Sequence, residues 1–118
     1  MTQGSVFIAE NNGVVVGFAN GGRERSGKYK SFDGELYSIY LLDEYQGMGF
    51  GKQLFMAVVE ELKRLQFNSF LVLVLKDNQA RSFYESMGAR HVDSIEVDIA
   101  GKKLTELVYG WEHINGHI

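Results

Sequence analysis

Phe70-Leu71-Val72-Leu73-Val74-Leu75 runs apolar for six residues without a break, between Asn68-Ser69 and Lys76-Asp77. So short a run, closed off by polar residues, has the pattern of a strand buried on both faces. The segment before it changes period. Over residues 51–65, Leu54, Phe55, Val58, Val59, Leu62 and Leu65 recur at helical spacing. Lys52, Gln53, Glu60, Glu61, Lys63 and Arg64 fall mostly on the other side, which predicts an amphipathic helix. Earlier still, residues 36–42 set Tyr37, Ile39 and Leu41 on one face against Leu36, Tyr40 and Leu42 on the other, a second strand apolar on both sides. Strand, helix and strand in quick succession form a βαβ unit, so the two strands are expected to be parallel with a right-handed crossover.

Working outward, Val6-Phe7-Ile8-Ala9-Glu10 and Val14-Val15-Val16-Gly17-Phe18-Ala19 flank Asn11-Asn12-Gly13. Asn and Gly supply the positive φ of a tight hairpin turn. Residues 20–34 are rich in glycine, carry Arg23, Arg25, Lys28 and Lys30, and show no sustained period. They are expected to form a long loop of the mobile or functional kind. On the far side, Asn78 is placed to cap a short helix carrying Phe83, Tyr84 and Met87, and Gly88 to end it. Residues 91–99 and 103–111 read as two further strands joined across Ala100-Gly101. The expected fold is α/β (α+β layered), a mixed, mostly antiparallel sheet with a central parallel βαβ pair and helices on both faces.

Composition sets the limits. The chain has 118 residues, 45% hydrophobic, 13% aromatic and 23% charged, which suits one domain over residues 1–118 and argues against disorder. The formal net charge of −3 weakens any reading as a general nucleic-acid binder, because phosphate neutralisation needs a basic surface. With no cysteine there is no disulfide, thiolate metal site or Cys nucleophile. No apolar run approaches the roughly 18 residues of a membrane span, and no secretory signal pattern opens the chain. A cytoplasmic protein is the expectation. His91, His113 and His117 have no metal-ligand spacing, so no metal is expected.

The chemical signal is Gln46-Gly47-Met48-Gly49-Phe50-Gly51-Lys52, directly after one buried strand and opening a helix. Alternating glycines let a ligand approach the backbone, and a helix N-terminus offers unpaired N–H groups and positive potential. Together they suit a phosphate or pyrophosphate. The spacing fails the P-loop pattern, which needs Gly at 46 and Ser or Thr at 53, where this chain has Gln. It also fails the dinucleotide fingerprint, since the third glycine comes one residue early. A plain strand-to-helix turn is the alternative reading of the loop alone.

Gln46-x-x-Gly49-x-Gly51 resembles the pyrophosphate motif of the GNAT superfamily of acyl-CoA-dependent N-acyltransferases, and Asn78-x-Ala80-x-x-Phe83-Tyr84-x-x-x-Gly88 is similar to that family's second motif. The separation of the two motifs, one helix and one buried strand, fits as well. The resemblance covers residues 6–111. It implies acetyl-CoA as cosubstrate, with no metal, and transfer of its acetyl group to a primary amine by direct attack in a ternary complex.

The resemblance also implies roles. The strands ending at Leu42 and near Leu75 would splay apart, with the pantetheine arm lying between them like an extra strand. Backbone groups of Tyr40, Leu41 and Leu42 would meet that arm and the thioester. The N–H groups of Gly47, Met48, Gly49, Phe50, Gly51 and Lys52 would hold the pyrophosphate beside Gln46, and the Asn78 side chain would reach the pantetheine. An alkyl amine with a pKa of about 10.4 is almost wholly protonated near neutral pH, so a base is needed. Glu35 is the candidate base; its other reading is a solvated loop carboxylate. Tyr84 is the candidate acid for the departing thiol and also fits as a core aromatic. Lys52 lies near phosphate or is solvated, and the loop cations Arg23, Arg25, Lys28 and Lys30 read chiefly as solvated. Met48, Phe50 and Trp111 read as core rather than acceptor pocket.

Two departures from the family pattern stand out. Asp43 and Gln79 occupy positions where many relatives carry Pro. The chain also begins almost at the family's second strand, so the acceptor side is expected to be shortened and residues 6–10 to form an open apolar edge. A second copy covering that edge would give a homodimer. The acceptor, a small molecule or a protein, is not readable. Two rivals stand beside the enzyme: a non-catalytic acyl-CoA-binding or interaction module, and an unrelated phosphate-binding protein with the same loop.

Overall fold

The computed structural model describes residues 6–114, which leaves His117 outside the described residues. Six strands form one sheet: β1 (Val6–Asn11), β2 (Val14–Arg23), β3 (Gly34–Leu41), β4 (Phe70–Leu75), β5 (Arg90–Ile99) and β6 (Lys102–Trp111). Their order across the sheet is β1-β2-β3-β4-β6-β5. Every neighbouring pair is antiparallel except the central β3–β4 pair, which is parallel, as the βαβ pattern requires. Both hairpins turn on two residues with positive φ, Asn12 and Gly13 at 53° and 82°, and Ala100 and Gly101 at 52° and 82°. That geometry matches the twist of the flanking strands.

Helix α1 (Phe50–Arg64) joins β3 to β4 and buries Leu54, Phe55, Val58, Val59 and Leu62, the stripe that sets its period. Helix α2 (Ala80–Ser86) follows β4. Gln79 already has helical dihedrals, so the cap is Asn78, whose Oδ1 accepts from the Ala80 N–H at 2.8 Å. At the other end Gly88 takes φ of 96°; its N–H donates to Glu85 O, and the Ala89 N–H donates to Tyr84 O. This is the paired closure that a left-handed glycine permits. Phe55 ties the layers together, its ring 5.9 Å from Phe70, 5.6 Å from Phe83 and 5.3 Å from Trp111. Phe70 and Trp111 stack at 4.3 Å.

Two expectations need correction. Both helices share one face: Phe83 and Tyr84 of α2 join the same core as Leu54 and Phe55 of α1. The opposite face of β4 and β6 is covered by Phe32 and Tyr29, packed on Leu71, Leu73, Val92 and Val108. Two rings from a loop therefore do what the two-sided apolar strands suggested a helix would do. The loop itself is shorter than expected and well tied. β2 continues through Gly21 and Gly22 to Arg23, leaving residues 24–33 as the connection. Ser69 Oγ accepts from the Asp33 N–H and donates to Ser31 O, and the Tyr29 hydroxyl donates to Asp93 Oδ2 at 2.8 Å. Gly21 marks a strand under a close helix, since a Cβ there would meet Val58 of α1 at 2.7 Å, and the strand runs on unbroken. Among the described residues no helix is long and apolar enough to cross a membrane.

Candidate functional site

β3 and β4 begin as partners and then separate. Their pairing covers Gly34↔Phe70, Glu35↔Leu71 and Leu36↔Val72, yet β3 runs on to Leu41 and β4 to Leu75. Each strand stays bound to its outer neighbour: β3 to β2 as far as Gly17↔Leu41, β4 to β6 as far as Leu75↔Glu106. The inner edges of residues 37–41 and 73–75 thus face each other across a gap, with backbone donors and acceptors available for an extended guest. A cleft of about 980 Å³ occupies the gap and reaches both faces of the sheet, since it is lined by Val72 and Val74 as well as by Leu73 and Leu75.

At one end lies the glycine loop. A 3-10 turn (Asp43–Tyr45) follows β3, and the Gln46 amide Nε2 donates to Leu41 O at 3.4 Å and to Asp43 Oδ1 at 3.3 Å, folding the loop back on the strand end. Gly47 and Gly49 have φ of 77° and 90°, and Gly49 caps α1 without any side-chain partner or any acidic residue in the first turn. The helix ladder starts with Gln53 N–H donating to Gly49 O, so the N–H groups of Phe50, Gly51 and Lys52 have no acceptor within the helix. Lys52 in a first turn opposes the helix dipole, an arrangement that an anion in front of the helix relieves. Gly51 is the sharper sign. It has no positive φ, and a Cβ there would meet nothing within 4 Å. Gly in a helix costs about 1 kcal/mol relative to Ala. Nothing in the protein requires it here, but a ligand resting on the backbone would.

The other wall comes from α2. Asn78 spends its Oδ1 on the helix cap, leaving its NH₂ for the cleft that it lines. Tyr84 is 4% exposed, and its hydroxyl has no hydrogen-bond partner among the described residues, yet it is not sealed off: it opens on the cleft. Burial pushes its pKa up to about 12.

Glu35 lies elsewhere. It is the second residue of β3, 2% exposed, on the face opposite the helices. Oε2 accepts from Arg25 Nη2 at 2.9 Å, while Oε1 accepts from the Arg25 backbone N–H at 3.0 Å and Nε at 3.4 Å. The solvated-loop reading of Glu35 is therefore overturned; Arg25 stays solvent-exposed while it pairs with that carboxylate and lies 4.0 Å from the Tyr37 ring centroid. Arg23 is likewise engaged, over the ring of Phe67. Glu35 does not line the main cleft but a smaller one of about 220 Å³, walled by Arg25, Lys28, Tyr29, Leu73 and Ile95 among others. Leu73 belongs to both cavities.

Of the expected site residues, Tyr40, Leu41, Gln46, Gly47, Gly49, Gly51, Lys52, Asn78 and Tyr84 line the main cleft. Leu42, Met48 and Phe50 do not. Met48 is 62% exposed, against the expectation of a core residue, and Phe50 packs edge-on against Tyr45. Trp111 is core, its Nε1 donating to Met87 O. His91 contacts Ser94 and the Tyr109 ring, and the described residues hold no cluster of three potential metal ligands. The sequence reading missed Ser38 and Glu106, which also line the cleft. Glu106 carried one signal: a lone carboxylate just before the apolar stretch from Leu107 to Tyr109.

Comparison with known proteins agrees with this geometry. Residues 1–89 match the Acetyltransferase (GNAT) family. The N-acetyltransferase YuaI of Bacillus subtilis, itself uncharacterised, is 38% identical over 111 residues, 93% of this chain and 64% of that protein. An N-acetyltransferase from Staphylococcus aureus superposes with a TM-score of 0.75 at 22% identity, over 92% of this chain and 67% of the other. The yncA protein of Salmonella typhimurium, solved with its cofactor acetyl-CoA, gives 0.75 at 23% identity over 96% and 66%. The chain spans less than two thirds of the length of the curated relatives it matches.

Proposed function

Because the chain belongs to the GNAT family of acetyltransferases, we propose that it binds acetyl-CoA in the β3–β4 gap and transfers the acetyl group to a primary amine. The observation that carries this reading is the continuity of one cleft. It runs from the open N–H groups of α1, past the unpaired edges of β3 and β4, to the hydroxyl of Tyr84. Family membership removes the unrelated phosphate-binding protein from consideration.

Acetyl-CoA would supply an activated acetyl thioester. The backbone N–H groups from Gly47 through Met48, Gly49, Phe50 and Gly51 to Lys52 would hold its pyrophosphate. The strand edges at Tyr40, Leu41 and Leu42 would align its extended arm, with the Asn78 NH₂ as a further donor. A phenol with a pKa of about 12 stays protonated across the working range. A thiolate with a pKa of about 8.5 is too weak a base to take that proton outright. Tyr84 therefore works as a fixed hydrogen-bond donor that stabilises negative charge on the departing sulfur, a more limited role than full proton donation.

The same reading includes one domain over residues 1–118, a cytoplasmic location checked by cell fractionation, and a homodimer. Supporting the dimer, β1 is an edge strand among the described residues. Ile8, Phe18 and Tyr40 also form one exposed row across β1, β2 and β3. A clean monomer by light scattering at high micromolar concentration would remove the dimer.

The primary test is the melting temperature with acetyl-CoA, against ATP and NAD as controls. A ligand at 100 times its Kd adds about 2.7 kcal/mol, which moves the Tm of a domain this size by several degrees. No shift overturns the reading. A shift without coenzyme A release on adding amines would leave the non-catalytic acyl-CoA-binding module.

A further inference from the structure

We propose that Glu106 is the acceptor-side carboxylate: it receives the ammonium group of the incoming amine and takes its proton. This rests on the transferase reading above and identifies the group that reading lacks. Glu106 lines the main cleft from β6, directly across from Leu75 of β4. Its sequence neighbour Leu107 points into the helix-side core and Val108 into the opposite cluster, so Glu106 shares the face of Val108, away from α1 and α2. The cleft thus has its anion-ready end on the helix side and a carboxylate on the other.

Among the described residues no hydrogen bond or ion pair reaches that carboxylate, although it is partly buried. Its surroundings are apolar on both flanks, Leu75 on β4 and Ile95 on β5. From the loop over residues 24–33, Tyr29 feels its charge, and the Tyr29 hydroxyl is itself committed to Asp93 of β5. From β3, Tyr37 and Tyr40 line the same cleft, as do Asp43 in the turn after β3, Lys52 in the first turn of α1 and Tyr84 of α2. A half-buried carboxylate on the cleft wall, open to water and paired with no cation among the described residues, offers an incoming ammonium an ion-pair partner. Glu35 offers none, since Arg25 engages both its oxygens.

The chemistry balances. Glu106 takes one proton from the ammonium, freeing the nitrogen lone pair. Nitrogen forms its bond to the acetyl carbonyl carbon as the carbon–sulfur bond breaks, and sulfur leaves with the bonding pair. Nitrogen then sheds a second proton, which neutralises the sulfur, and Glu106 returns the first to water. Amide and free thiol are the products.

The test compares wild type with Glu106→Gln, using butylamine, protonated near neutral pH, and trifluoroethylamine, largely neutral there, both at saturating acetyl-CoA. The variant is expected to lose about 10²-fold or more in kcat/KM with butylamine, with a much smaller loss for trifluoroethylamine. The butylamine deficit narrows as pH rises and the amine deprotonates unaided, and Glu106→Asp recovers part of the rate. The acetyl-CoA-induced Tm shift stays as in wild type. Equal losses with both amines, or no loss with either, overturn the inference while the transferase stands. If wild-type protein releases no coenzyme A with either amine, the proposed function falls and this inference with it.

Discussion

Gly21 of β2 and Val58 of α1 meet with no space for even one carbon: a Cβ on Gly21 would lie 2.7 Å from Val58 Cγ1 and 2.7 Å from the carbonyl oxygen of Glu35. The neighbour on one side is a side chain at the centre of the core and on the other the backbone of the next strand, so neither yields cheaply. Gly21→Ala is expected to destabilise the protein by roughly 1 to 3 kcal/mol, as overpacking does. Thermal unfolding checks it; an unchanged Tm would mean that α1 rides higher on the sheet than described.

Gly51 should behave in the opposite sense. An alanine there meets nothing and improves helix propensity, so Gly51→Ala should stabilise the free protein by about 0.5 to 1 kcal/mol. The same methyl would occupy the space proposed for the pyrophosphate. Titration calorimetry should therefore show acetyl-CoA binding weakened at least tenfold in a more stable protein. A variant that is more stable and binds equally well would detach Gly51 from the ligand.

Tyr84 titrates late, its pKa raised by burial to about 12 from an ordinary value of 10. Below the ordinary value both folded and unfolded chains keep the phenol neutral, and nothing is lost. As pH climbs from there towards 12, the unfolded chain sheds the proton and the buried residue does not, so stability falls, by about 3 kcal/mol once both values are passed. Tyr84→Phe should flatten that alkaline decline and remove one late step from the tyrosine absorbance titration. At neutral pH the same variant should lower kcat roughly 100- to 1,000-fold with unchanged coenzyme affinity, the scale of losing one well-placed donor. An unaltered kcat would exclude contact between this hydroxyl and the leaving group.

Arg25 and Glu35 make a pair whose two halves are unequal, the arginine side chain 59% exposed and the carboxylate 3%. Arg25→Met leaves a buried carboxylate with a single backbone donor and should cost roughly 1 to 3 kcal/mol, less than a fully buried pair because water reaches the guanidinium. Adding Glu35→Leu should return much of the loss. If the double variant is no better than the single one in urea unfolding, the loop is held by something other than this pair.

The central βαβ unit was legible because its periods are local: six apolar residues at 70–75 and a helical stripe from Leu54 to Leu65 each carry their own geometry. The Asn78 cap and the Gly88 closure were legible for the same reason. Residues 20–23 were not. Glycine signals both a turn and a close approach, and Val58, which decides between them, lies far along the chain. The cover formed by Tyr29 and Phe32 depends in the same way on Leu71 and Val108. At the site, the loop could be read from its glycines and its place before a helix, and Tyr84 only from the family resemblance. Glu106 gains its meaning from β6 inserting beside β4, a pairing that no local pattern contains.

The three residue pairs that join β3 to β4 have a mechanical consequence. They divide the sheet into a leading half, β1-β2-β3, and a trailing half, β4-β6-β5, each complete within itself and hinged at one end, with Phe55 reaching from α1 onto the trailing half as a clasp. An elongated molecule bonded to both inner edges would be the seventh rung of an unfinished ladder. The empty protein should breathe along this seam, its amides at residues 37–41 and 73–75 exchanging ahead of the rest, and the filled protein should not. On the proposed function, the supply of acetyl-CoA would then set how firmly the chain stays folded as well as how fast it works.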